Sequence, residues 1–69
     1  MSAEIQVNGQ REALAAGTLD ALLRIKGIEE GARGVAAALN GEVVPVQQWP
    51  STVLRPSDAL EIVRPFSGG

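Results

Sequence analysis

The sequence predicts a two-layer α+β domain: a mixed sheet of about five strands with one main helix packed on one face. Three observations carry this. Period-two alternation of apolar and polar residues marks the first and last strands. Two Asn-Gly pairs, Asn8-Gly9 and Asn40-Gly41, mark turns between extended segments. A single leucine stripe at helical spacing supplies one helix, and one stripe calls for one sheet face.

Residues 3–7 alternate, with Ile5 and Val7 on one face and Glu4 and Gln6 on the other. Asn8-Gly9 tolerates the positive φ angles of a tight hairpin, and residues 11–15 read as the return strand, with Glu12 and Leu14 sharing a face. A helix follows over residues 18–26. Thr18 caps its first turn, Asp20 complements the positive end of the dipole, and Leu19, Leu22 and Leu23 form the stripe. Gly27 stands where a left-handed C-terminal cap belongs. So short a helix is unstable alone and must dock on the sheet.

Residues 28–34 read as a glycine-rich charged connection. Residues 35–39 contain three alanines and tolerate helix on propensity. The Asn40-Gly41 turn and the apolar pair Val43-Val44 favour strand-turn-strand instead, with Pro45 ending the second strand. Trp49-Pro50-Ser51 reads as a loop or a single tight turn, and Val53-Leu54 as a short extended piece. Arg55-Pro56-Ser57-Asp58 is a turn signal. Residues 60–64 alternate again, with Leu60 and Ile62 on one face and Glu61 and Val63 on the other, and Pro65 closes this last strand. Residues 1–65 are thus read as the domain and residues 66–69 as a flexible tail.

Composition limits what such a domain does. A chain of 69 residues is one small domain. It buries only about 60% of its unfolded surface, so a large enclosed active site is not expected. With one Phe, one Trp and no Tyr, it lacks a stacking surface for single-stranded nucleic acid. A net charge of -2 with interspersed signs disfavours binding to a duplex. The absence of Cys removes thiolate nucleophiles, disulfides and most structural zinc sites, and leans towards the cytoplasm. The absence of His removes the commonest general base. No early stretch reads as a signal peptide, and no apolar run approaches the ~20 residues of a membrane span.

Self-contained catalysis finds little support. Triads built on His are impossible, and no phosphate-binding Gly-x-x-x-x-Gly-Lys loop occurs. Gly27, Gly31 and Gly34 read as turn glycines, Glu29-Glu30 as a solvated pair whose side chains point apart, and Asp58 as a turn residue. The chain's end is different. It stops at Gly68-Gly69, and no side chain within two residues obstructs the terminal carboxylate. A frayed end is the plain alternative. A reactive end has a chemical logic. The carboxylate is ionised at neutral pH and is a poor electrophile. Adenylation by ATP converts it into an acyl-phosphate anhydride that a sulfur or nitrogen nucleophile can attack. That activation needs a partner enzyme. Gly68 and Gly69 lack Cβ atoms and suit a thin arm reaching into a narrow slot.

Two segments resemble the ThiS family of sulfur carriers in thiamine biosynthesis. One is Asn40-Gly41-Glu42-Val43-Val44-Pro45-Val46-Gln47-Gln48-Trp49. The other is Asp58-Ala59-Leu60-Glu61-Ile62-Val63-Arg64-Pro65-Phe66-Ser67-Gly68-Gly69. The opening strand, its hairpin and Ala15-Ala16-Gly17-Thr18-Leu19 also fit, so the resemblance spans essentially the whole chain. It implies a ubiquitin-like β-grasp fold. It implies that Gly69 is the covalent carrier, adenylated by a ThiF-type enzyme and converted to a thiocarboxylate. The thiocarboxylate then gives its sulfur to a ThiG-type thiazole synthase. A cysteine desulfurase is the indirect sulfur source, ATP belongs to the partner, and no cofactor is bound stably. The chain is then a co-substrate rather than an enzyme. Phe66, Ser67 and Gly68 become the recognised tail. The chain departs from the family in carrying Val46 where many members have Arg, and Phe66-Ser67 in place of a smaller aliphatic pair.

The remaining residues have two readings each. Trp49 is a structural anchor or a partner contact. Arg64 is a solvated strand residue or pairs with an acidic partner surface. Val44 and Val63 are an exposed apolar docking patch or half-buried sheet packing. Two rival functions share the activated glycine: a MoaD-like carrier for molybdopterin or another sulfur-containing product, and a ubiquitin-like protein modifier. A plain interaction module is the remaining class.

Overall fold

The computed structural model describes residues 3–28 and 34–64. Residues 29–33 of the expected connection, including Glu29-Glu30 and Gly31, together with Pro65 and the expected tail of residues 66–69, lie outside the described residues. Five strands form one sheet: β1 (Glu4–Val7), β2 (Gln10–Ala13), β3 (Ala36–Leu39), β4 (Glu42–Val44) and β5 (Ala59–Val63). Their spatial order is β2-β1-β5-β3-β4. The β1–β2 and β3–β4 hairpins are antiparallel, β3 runs antiparallel to β5, and β1 runs parallel to β5. A mixed sheet with the first and last strands side by side, holding one helix on one face, is the β-grasp topology.

Both hairpin turns follow from their residues. Asn8 and Gly9 have φ 51° and 83°, and Asn40 and Gly41 have φ 51° and 86°. Positive φ at both central positions is the type I′ geometry, whose twist matches that of the strands it joins. The turn before β5 is of type II, with Pro56 at its second position and Ser57 at φ 71° where glycine is usual. Asp58 closes it by accepting the Arg55 N–H on Oδ2 at 2.8 Å.

The helix α1 (Leu19–Ile25) is capped at both ends. The Thr18 hydroxyl accepts the Ala21 N–H at 3.3 Å. At the other end Gly27, at φ 84°, turns the chain back so that its N–H reaches the Arg24 carbonyl and the Ile28 N–H reaches the Leu23 carbonyl. These two bonds are a Schellman motif, and the buried Leu23 and Ile28 supply its usual apolar contact. Leu19, Leu22 and Leu23 are essentially inaccessible, which anchors a helix of only seven residues. Each such burial is worth about 1.5–3 kcal/mol. They meet Ile5, Val7, Ala37 and Leu60 from the sheet, with Leu39, Val44 and Ile62 packed around them.

Several segments differ from expectation, most of them by a residue at a strand end. The return strand ends at Ala13 rather than Ala15, although Leu14 still donates its N–H to Ala3. The segment Val46–Ser51, expected as a loop or single turn, is a 3₁₀ helix. It starts at Pro45, whose fixed φ ends β4, and the Pro50 ring sits within it. Residues 52–54 then run beside the start of α1. Leu19 donates to Thr52 and Leu54 to Gly17, and a single bridge joins Thr18 to Val53. The short extended piece expected at Val53-Leu54 is thus present, joined to the rest by this single bridge.

Candidate functional site

The candidate site is the exit of β5, which leads into the tail. Phe66, Ser67, Gly68 and Gly69 lie outside the described residues. The base that carries them is described up to Arg64. β5 is the central strand, and both neighbours hold it by backbone pairing through Leu60. Beyond Leu60 the backbone ladder continues only on the β3 side, through Ala37↔Ile62 and Ala36↔Val63.

On the β1 side a side chain takes over. Asn8 accepts the Ile62 N–H on Oδ1 at 2.8 Å and donates Nδ2–H to the Ile62 carbonyl at 3.3 Å. At the start of β5 the other asparagine does similar work. Asn40 Oδ1 accepts the Ala59 N–H at 2.9 Å, and its Nδ2 donates to Asp58 Oδ1 at 3.0 Å. The two Asn-Gly pairs were legible as turns, but their side chains as braces on β5 were not. The available signal was that both asparagines of the chain stand immediately before glycine, where a left-handed residue next to a strand end can turn its side chain onto the neighbouring strand.

Beside this exit, Lys26 Nζ pairs with Glu12 at 2.9 Å, joining the end of α1 to β2. Arg64 reaches back to the Lys26 carbonyl at 3.4 Å. The guanidinium thus sits at the negative end of the helix dipole. Arg64 is exposed, so this contact leaves much of its side chain in solvent.

The valines divide between the two faces of the sheet. Val63 is 62% exposed on the face away from the helix. Val44 pairs with the buried Ala37 and packs on the core, so it does not share a face with Val63. Val43, which the sequence reading did not single out for docking, takes the outward place and is 74% exposed. Ala36 and Ala38 of β3 lie between Val43 and Val63 and present only methyl groups. Two adjacent valines carry no period-two signal, so parity could be decided only by the register across the Asn40-Gly41 turn.

Trp49 is core. It is 1% exposed, and its indole N–H donates to the Val44 carbonyl at 2.9 Å. Its side chain has no surface to offer a partner, which removes the contact reading and leaves the anchor. The 3₁₀ helix delivers it beneath the β4 edge, and the hydrogen bond satisfies the one polar atom of an otherwise apolar ring. Among the described residues no cluster of three or more potential metal ligands occurs, and no helix is long and apolar enough to cross a membrane.

The ThiS family model matches residues 5–69, a span that includes both glycines of the tail. A crystal structure of the thiamine biosynthesis protein ThiS from Geobacter metallireducens superposes with a TM-score of 0.76 at 26% identity, covering 96% of this chain and 99% of that one. A solution structure of a thiamine biosynthesis protein from the same organism gives a TM-score of 0.77 at 26% identity, covering 96% of this chain and 87% of that one. Among curated proteins there is no significant match.

Proposed function

Because the chain belongs to the ThiS family, we propose that it is the sulfur carrier for formation of the thiazole ring of thiamine. The observation that carries the proposal is the family match through Gly68 and Gly69, on a domain whose central strand leads directly into that tail.

In this reading the Gly69 carboxylate attacks the α-phosphorus of ATP in the active site of a ThiF-type enzyme. Pyrophosphate leaves and an acyl-adenylate forms. A sulfur nucleophile, supplied indirectly by a cysteine desulfurase, then displaces AMP at the acyl carbon. A thiol then reduces the S–S bond that links this sulfur to its donor, forming a disulfide with the donor and leaving a thiocarboxylate, which a ThiG-type thiazole synthase consumes. The chain contributes no acid, base or metal to these steps. It presents the end, and Gly68 keeps the approach narrow. Phe66 and Ser67 are the adjoining recognition elements. The exposed valines Val63 and Val43, with Arg64 nearby, form the side on which a partner docks. ATP is the partner's substrate, and the carrier itself holds no resident cofactor. A cysteine-free chain suits the cytoplasm, where these enzymes would be met.

Intact mass after incubation with a ThiF-type enzyme, ATP and a sulfur source tests this. The expected product has one oxygen replaced by sulfur. A product found only as a lysine-linked conjugate would instead establish a protein modifier. Deleting Gly69 is expected to abolish the mass change while leaving the thermal transition of the domain unaltered. Retained function in that variant is incompatible with a carrier.

A further inference from the structure

We propose that Asn8 is a positioning residue for the tail: its carboxamide fixes the direction in which the chain leaves the sheet towards Gly69. This rests on the reading of Gly69 as the reacting group. Along β1 and β5 the parallel ladder advances two residues at a time, with Gln6 N–H donating to Asp58 and Asn8 N–H donating to Leu60, both at 2.9 Å. A continuing ladder would place the next two bonds on Ile62. Its N–H would donate to the backbone carbonyl of residue 8, and its carbonyl would accept from the N–H of residue 10. The type I′ turn carries both of those groups away, because Gln10 already belongs to β2.

The Asn8 side chain supplies both bonds instead. A planar carboxamide has the same donor and acceptor pair as a peptide group, and asparagine tolerates the φ of 51° that aims it at β5. The strand is therefore held on both sides as far as Ile62, only two residues short of the last described residue. Without the carboxamide, residues 61–63 are tied on the β3 side alone. The chain would then leave the sheet over a wider range of directions. An activating enzyme needs the terminal carboxylate within reacting distance of ATP, and misplacement by about 1 Å can cost ~10²-fold in rate.

Asn40 provides an internal control. It sits in the same type of turn and also braces β5, but at Ala59, the end away from the tail. The test compares the full-length wild type with Asn8→Gly and Asn40→Gly, both of which keep a residue at ease with positive φ. Amide hydrogen exchange reads the brace, and steady-state adenylation by a ThiF-type enzyme with carrier as the varied substrate reads its consequence. For Asn8→Gly we expect Ile62 to exchange about tenfold faster, kcat to fall about tenfold, and KM to stay within about twofold, because the docking face is untouched. For Asn40→Gly we expect faster exchange at Ala59 with kcat and KM unchanged. Asn8→Asp keeps the acceptor and loses the donor, and its kcat is expected to fall between Asn8→Gly and wild type. Equal losses of kcat in the two glycine variants, or an unchanged kcat in Asn8→Gly, overturn the proposal alone. Failure of the wild-type chain to be adenylated overturns the sulfur-carrier reading, and this proposal with it.

Discussion

The two faces of the sheet come from the same five strands and carry opposite chemistry. On the helix side Ile5, Val7, Ala37 and Leu60 are buried, and Trp49 and the leucines of α1 close over them. On the open side the β1–β2 half shows Glu4, Gln6 and Arg11, whereas the β3–β4–β5 half shows Ala36, Ala38, Val43 and Val63 with Glu61 among them. One face therefore holds the domain together. The other lies open to solvent, and its apolar half lies on the strand that carries the tail and its outer neighbours. Exposed valines there contribute little to folding, because their surface is not removed from water.

The contrast can be broken most strongly at Trp49. Trp49→Ala deletes the largest buried side chain and, with it, the indole hydrogen bond to the Val44 carbonyl. The expected loss is about 3–5 kcal/mol. A domain of this size holds roughly 3–10 kcal/mol in total, so the variant should be largely unfolded at 37 °C by circular dichroism. Val63→Asp tests the open face. Its effect on stability should stay within about 1 kcal/mol, the span of strand propensity. Its effect on affinity for a ThiF-type partner should reach tenfold or more in calorimetric titration, because a charge would be carried into an apolar contact. Equal affinity would remove that half of the face from the docking surface. The smallest effect belongs to Ser57→Gly, which touches neither face. It relieves an L-residue at φ 71°, partly offset by the greater freedom of glycine in the unfolded chain. A gain of about 0.5–1 kcal/mol in urea unfolding is expected, and a loss would mean that the Ser57 side chain makes a compensating bond.

Much of the covered face was legible in advance, because burial leaves a periodic mark. Ile5 and Val7, Leu60 and Ile62, and the leucine stripe all lie where alternation or helical spacing put them. The open face was less legible. Val43 and Val44 are adjacent and equally apolar, so only pairing with Ala37 decides which one points inward. The 3₁₀ helix was hidden because a proline at either side of Trp49 reads locally as a break, and its reason to form is tertiary: Trp49 must reach the core. The roles of Asn8 and Asn40 were hidden differently. Positive φ already accounts for each residue as a turn former, so the Asn-Gly pair does not by itself say which strand, 54 or 19 residues away, the side chain also bonds.

The parallel pairing of β1 with β5 carries a consequence for synthesis. The strand made last of the five is the one in the middle. Until it emerges from the ribosome, the two hairpins have no ladder in common, and the exposed edges of β1 and β3 await the same missing piece. A nascent chain cut short after β4 but before residue 59 is thus left as two unjoined hairpins, open to proteolysis. Translation that fails early yields a chain the cell can degrade, rather than a folded decoy that would occupy partner enzymes with nothing to deliver.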